Sequence, residues 1–136
     1  MSLSADDRFA IADVVNGFGM AVDDIGNVAG VVALFAPDAV YDLSALGMGT
    51  ILGHTGIGDF FTAAFAGMAN NAHFMTNIVA SAMEGGARAQ AYGHAFSLSK
   101  EGSMLEVRAR YSFELARSSE GWRITRLTMG LLTPLG

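Results

Sequence analysis

Three histidines and no cysteine stand in this chain of 136 residues, so the chemistry its side chains offer is proton transfer rather than thiolate attack. His73 opens the first of several long alternating segments and shares a face with Met75, Asn77 and Val79. One polar group among apolar neighbours suits a pocket wall, where a neutral imidazole is a general base. The alternative is a half-exposed histidine at a strand end. Asp23 and Asp24 directly follow the apolar stripe of the first helix, and an acid there is ordinarily a solvated helix end. Turned inward, its carboxylate would accept the Nδ1–H of a histidine, fix the tautomer and stabilise the imidazolium formed on proton abstraction. Asp42 carries the same two readings.

The remaining polar candidates are read from alternation. His94 shares a face with Tyr92, Phe96 and Leu98, opposite Ala89, Ala91, Gly93 and Ala95. It is a second pocket histidine or a satisfied core or interface residue. Arg126 follows Trp122 and Ile124 on one face and is an inward cation unless a bulge turns it out. His54, beside Gly53, reads as a surface residue. Candidate ligand contacts are Phe18, Tyr41, Met48, Phe60, Met75, Tyr92, His94, Tyr111 and Arg126, although the apolar members equally suit a filled core.

No metal and no cofactor is expected. The three histidines lack the short spacing of a compact metal site. Gly47-Met48-Gly49 and Gly56-Ile57-Gly58 are too short for a dinucleotide or phosphate fingerprint, and no nucleophile elbow occurs.

These residues must be positioned by a chain with 51% apolar and 15% charged side chains and a net charge of −5. Its length suits one globular domain over residues 1–136. Eight cations against 13 acids provide no basic field for nucleic acid or an anionic membrane. No apolar run reaches the roughly 18 residues of a membrane span, and the acidic start at Asp6-Asp7 is unlike a basic secretory leader. The expectation is a cytoplasmic, soluble protein. Many glycines and methionines point to a roomy interior, either a cavity or an oligomer interface.

Ser4 with Asp7 three residues on predicts a capped helix running to about Val22, with Ile11, Val14, Val15, Phe18 and Val22 on one face. A second helix is predicted near 27–35, ended by Pro37. A short strand at 39–43 and a flexible loop at 44–53 follow. A third helix starts behind Thr55, carries Ile57, Phe60, Phe61, Ala64, Phe65 and Met68, and stops at Asn70-Asn71. From there the period is two, giving strands at 72–83, 87–99, 103–116 and 122–132 in a meander. Helices first and an antiparallel sheet after give an α+β fold with helices on one side of a curved sheet.

Several segments together resemble a known family. They are Ala21-Val22-Asp23-Asp24, Leu34 through Asp42, Gly53 with Ile57, His73-Phe74-Met75-Thr76-Asn77, and Gly121-Trp122-Arg123-Ile124. Their order and spacing are similar to the SnoaL-like branch of the nuclear-transport-factor-2-like (cystatin-like) superfamily. The resemblance covers nearly the whole chain. It implies three helices in a cone against a strongly curved sheet, an apolar pocket at the mouth, and often a homodimer. The nearest group contains scytalone dehydratase, bile-acid 7α-dehydratase and hexachlorocyclohexane dehydrochlorinase. It implies a proton-abstracting dyad of Asp23 and His73 and a dehydratase-like lyase or an isomerase acting on a hydrophobic, cyclic small molecule. The assisting phenols of the dehydratases are missing, because Phe18, Val22 and Leu43 stand at the matching positions. Tyr92 and Tyr111 stay unassigned. The alternative function is a non-catalytic binding or dimeric interaction module of the same fold.

Overall fold

The Ser4 hydroxyl accepts the Asp7 amide at 3.0 Å while the Asp7 carboxylate accepts the Ser4 amide at 3.1 Å, the reciprocal cap that its spacing predicts. A computed structural model describes residues 2–135. Helix α1 (Ala5–Asp23) buries Ile11, Val15, Phe18, Gly19 and Val22 along one stripe. Helix α2 is shorter than expected (Val28–Val32), with Asn27 as its cap. Strand β1 (Phe35–Asp42) begins four residues before the predicted one, and the expected loop holds a 3₁₀ turn (Ser44–Leu46) and strand β2 (Thr50–Leu52). Helix α3 (Gly53–Ala66) ends at Gly67, and β3 (Met68–Met83) takes Asn70 and Asn71 into the sheet. β4 (Gly86–Ser99), β5 (Met104–Ser118) and β6 (Gly121–Leu131) complete the chain.

The six strands are ordered β2-β1-β6-β5-β4-β3. The meander β3 to β6 is antiparallel as predicted, but β1 runs parallel to β6, so the sheet is mixed. Pro37 falls where the β1–β6 register shifts, between Phe35 and Val40, and there a missing N–H breaks no ladder bond. That shift lets the strand run through a proline that reads as a helix stop.

The helices cover one face. The core joins the α1 stripe, Val31, Phe35, Tyr41 and α3 residues Ile57, Phe61 and Phe65 to inward residues of β4, β5 and β6. On β4 the inward set is Ala87, Ala89, Ala91, Gly93 and Ala95. Small side chains there leave room for the large rings of β5, where Tyr111 and Phe113 are stacked at 6.2 Å. Among the described residues no helix is long and apolar enough to cross a membrane.

Two bulges reset the alternation. In β3 the register to β4 shifts between Thr76 and Val79, with Asn77 in the left-handed region at φ 56°. In β6 it shifts where Leu115 pairs with Ile124 and Glu114 with Arg126. The extra residue, Thr125, sends its hydroxyl to the Glu114 carbonyl at 3.1 Å. One added residue turns every later side chain to the other face.

Candidate active site

Asp23 ends α1 and His73 lies six residues into β3, fifty positions apart in sequence. The chain brings them together at this helix end in three ways. The Asn71 side-chain amide donates to the Val22 carbonyl at 3.1 Å, satisfying one of the carbonyls that a helix end leaves open. Gly19 lets the helix approach the strand, since a methyl there would stand 3.2 Å from His73 Cβ and from Met75 Cγ. Asp23 then grips the strand twice: Oδ2 accepts the His73 backbone amide at 2.9 Å, and Oδ1 accepts the ring Nδ1–H at 2.6 Å.

This grip settles the imidazole's orientation. A carboxylate only accepts, so Nδ1 is the donor, and in the neutral ring Nε2 is the nitrogen that carries the lone pair. Nε2 has no hydrogen-bond partner among the described residues, and His73 lines a cavity of about 530 Å³. The His73 side chain is 10% exposed and that of Asp23 27%. The pair is thus an inward imidazole with a carboxylate that remains partly wet.

Of the candidate ligand contacts, Phe18, Tyr41, Met48, Phe60 and Tyr111 line the cavity. Four other candidates do not. Met75 lies on the inward face of β3 but packs beneath α1 against Gly19. Tyr92 and His94 point to the opposite side of the sheet, because the inward side of β4 is the row of alanines and glycine. There the Arg110 guanidinium lies 5.8 Å from the Tyr92 ring centre. The His94 side chain is 44% exposed and pairs its Nε2 with Glu106 at 2.6 Å. Arg126 is turned out by the β6 bulge and binds Asp42 at 3.0 Å. Val79 also leaves the face of His73, because of the Asn77 bulge. His54 is half-buried rather than wholly at the surface: its Nε2 meets the Phe35 carbonyl at 2.7 Å and ties α3 to β1.

Sequence reading missed Asn71, Ser97 and Phe65 among the lining residues. Asn71 stands two positions before His73, so the same alternation finds it once the strand is extended backwards. Ser97 is its partner across β4. The Asn71 Oδ1 is buried without a hydrogen-bond partner.

The phenols are electrostatically distinctive. Burial, and to a smaller degree the neighbouring Tyr111, holds the Tyr41 hydroxyl far above the ordinary tyrosine range. Burial raises Tyr111 as well, and the Asp23 charge adds to it. On the outer face the His94 hydrogen bond, aided by Arg108, holds Glu106 below the usual carboxylate range. Among the described residues no group of three or more His, Cys, Asp or Glu could hold a metal ion.

The family model for the SnoaL-like domain matches residues 4–128. No curated protein matches the chain. A Novosphingobium aromaticivorans protein described as a candidate aromatic ring hydroxylase is 39% identical, with a TM-score of 0.95 over 98% of this chain and 94% of that one. A candidate scytalone dehydratase from the same organism is 16% identical, with a TM-score of 0.84 over 98% and 91%. A type 2 hexachlorocyclohexane dehydrochlorinase is 18% identical, with a TM-score of 0.83 over 98% and 92%. The last two likenesses concern the fold alone; the domain match, spanning all but the two ends, carries the assignment, and this chain belongs to the SnoaL-like domain family.

Proposed function

We propose that the protein is a lyase or isomerase that works by proton transfer on a hydrophobic, cyclic small molecule. The observation that carries this reading is the 2.6 Å bond from His73 Nδ1 to Asp23, which leaves Nε2 free at the wall of an apolar cavity. Nε2 takes a proton from a C–H bond, and Asp23 stabilises the imidazolium that results. The electron pair left on carbon then expels a leaving group as a double bond forms, or delocalises until the proton returns at another carbon. Phe18, Phe60 and Phe61 hold the ring by shape and dispersion. The 39% identical neighbour, described as a candidate aromatic ring hydroxylase, supports a cyclic ligand class.

A panel of neutral cyclic compounds in D₂O tests the reading by elimination or by exchange of carbon-bound hydrogen. His73→Ala and Asp23→Asn should each slow the turnover by about 10²–10⁴-fold, while ligand-induced thermal stabilisation persists. Unchanged turnover in both variants ends the enzyme reading and leaves a binding module.

We also propose that a second copy of the chain covers the outer face of β3, β4 and β5. There Phe74 is 58% and Tyr92 39% exposed, and Phe74 meets Phe96 edge-on at 6.4 Å, an apolar group of the kind that marks interaction surfaces. Light scattering should give a dimer mass for the native chain and a monomer mass for Phe74→Glu.

A further inference from the structure

Among the described residues, the one buried side-chain nitrogen or oxygen without a hydrogen-bond partner is Asn71 Oδ1. Turning the amide over would not cure this. Nδ2 donates to the Val22 carbonyl at 3.1 Å and to Met68 Sδ at 3.0 Å, so a reversed amide would set its oxygen against two acceptors. The nitrogen is spent on the protein, and the oxygen is left without a donor in a residue that lines the cavity. A buried acceptor with no hydrogen to accept costs stability. That cost is recovered when a bound molecule brings the donor.

The surroundings define the donor. Ser97 lies directly opposite Asn71 across β3 and β4 and lines the same cavity. Its hydroxyl can give a hydrogen as well as take one. An O–H group on a ligand suits both residues, giving its hydrogen to Asn71 and receiving one from Ser97, whereas a ketone or ether oxygen only receives. No Asp, Glu, Lys or Arg lines the cavity, so a carboxylate, phosphate or ammonium group would be buried without a counter-ion. A neutral hydroxyl is the match. A second pocket, of about 470 Å³, shares Met68 and Ser97 with the cavity and adds Ser99 and Ser103, so the polar strip continues beyond it. Neighbouring atoms close Oδ1 in, and the flexible thioether of Met68, beside the amide, is the group that can swing aside.

We infer that Asn71 and Ser97 form a subsite for a hydroxyl group on an uncharged, hydrophobic ring compound, with Asn71 Oδ1 as the acceptor and Ser97 as the donor. The inference deepens the proton-transfer reading by naming a group that the substrate carries, and rests on that reading for the ring beside His73. Asn71 stands two positions before His73 on one face of β3, about 7 Å along the strand. The bound hydroxyl therefore belongs to a part of the ligand away from the C–H bond that reacts. It selects which carbon faces Nε2 and stays on the product.

The probes are 2-tetralol, its methyl ether and tetralin: one ring system with a donor and an acceptor, an acceptor alone, and neither. Calorimetry on the native protein should find the alcohol bound about 5-fold more tightly than its ether. Asn71→Leu should erase that preference while tetralin keeps its affinity; a role confined to the Val22 carbonyl would weaken all three probes alike. Ser97→Ala keeps the Val22 bond and should lower the alcohol's affinity about 3-fold, again sparing tetralin. In the native protein the NMR signals of the Asn71 side-chain amide should move with the alcohol and stay in place with tetralin. An alcohol bound no more tightly than its ether, including no binding of any probe, overturns the subsite, as does an undiminished preference in Asn71→Leu or undiminished alcohol affinity in Ser97→Ala. His73→Ala should leave the preference whole and abolish turnover of the compound panel. The preference together with turnover that ignores His73 removes the proton-transfer reading alone. Turnover that needs His73, without the preference, removes the subsite alone.

Discussion

Gly93 lies directly beneath the ring of Tyr111: a methyl group built on it would fall 2.3 Å from Tyr111 Cε1. The ring therefore occupies space that any other residue on β4 would claim, and its reach into the cavity depends on that glycine. Neither Tyr111, buried in the core, nor the β4 backbone has room to yield. Gly93→Ala should cost about 1–3 kcal/mol by overpacking, read by urea denaturation, and should weaken ligand binding further than the stability loss alone explains.

Asp23 accepts two bonds from one residue, so its replacements should differ in kind. Asp23→Ala leaves both the His73 amide and the ring Nδ1–H without their acceptor and should cost about 1–3 kcal/mol. Asp23→Asn keeps an acceptor oxygen and should be milder in denaturation, yet it should lose turnover because the imidazolium has no charge to lean on. Equal stability losses in the two variants would contradict the double contact.

The alkaline limb of stability should belong to the buried phenols. Tyr41 and Tyr111 are held above the ordinary value of 10.0 in the folded protein. Their contribution is complete below that value and is lost as the pH rises toward the folded ones, since the unfolded chain releases its protons first. In a Tyr92→Phe background, phenolate absorbance should appear together with the loss of near-ultraviolet circular dichroism, and not before it.

At the acid limb, Asp42 is held below 3.8, mainly by the Ser44 hydroxyl and amide and further by Arg126, against some desolvation. A lowered carboxyl stabilises the fold above its ordinary value, and that support is lost as the pH falls through the lowered one. Denaturation midpoints measured from about pH 5 to about pH 2 should fall more steeply in the native protein than in Asp42→Asn. Parallel slopes would mean that the Asp42–Arg126 pair does not report on folding.

Much of this architecture is readable from residue order, because hydrophobic period and capping are local signals. The Ser4–Asp7 box, the α1 stripe and the four long strands all answer to them. What they miss is non-local. Strand β1 runs on through Pro37 because it borrows its partner from the far end of the chain, and β2 hides in a glycine-bearing stretch since only its pairing with β1 makes it a strand. The dyad is legible only through the family resemblance, as nothing in spacing brings residues fifty apart into contact. His94 was a pocket candidate because large side chains usually face the core; here alanines do, with the bulk supplied by the neighbouring strand. Tyr41 and Tyr111 are visible as inward positions, but their place on one cavity wall is a property of the packed molecule.

The Asn77 bulge has one more effect. It separates two stretches of β3 of opposite parity: odd-numbered residues look inward from Asn71 to Met75, and even-numbered ones, Ile78 and Ala80, do so afterwards. Tolerance to polar substitution along this strand should therefore swap between alternate positions at residue 77. Deleting that single residue would therefore remove the bulge and leave both stretches in phase, with Ile78 inward opposite Ala91 and Val79 still outward, whereas a second residue inserted there would drive Val79 inward and Ile78 into water.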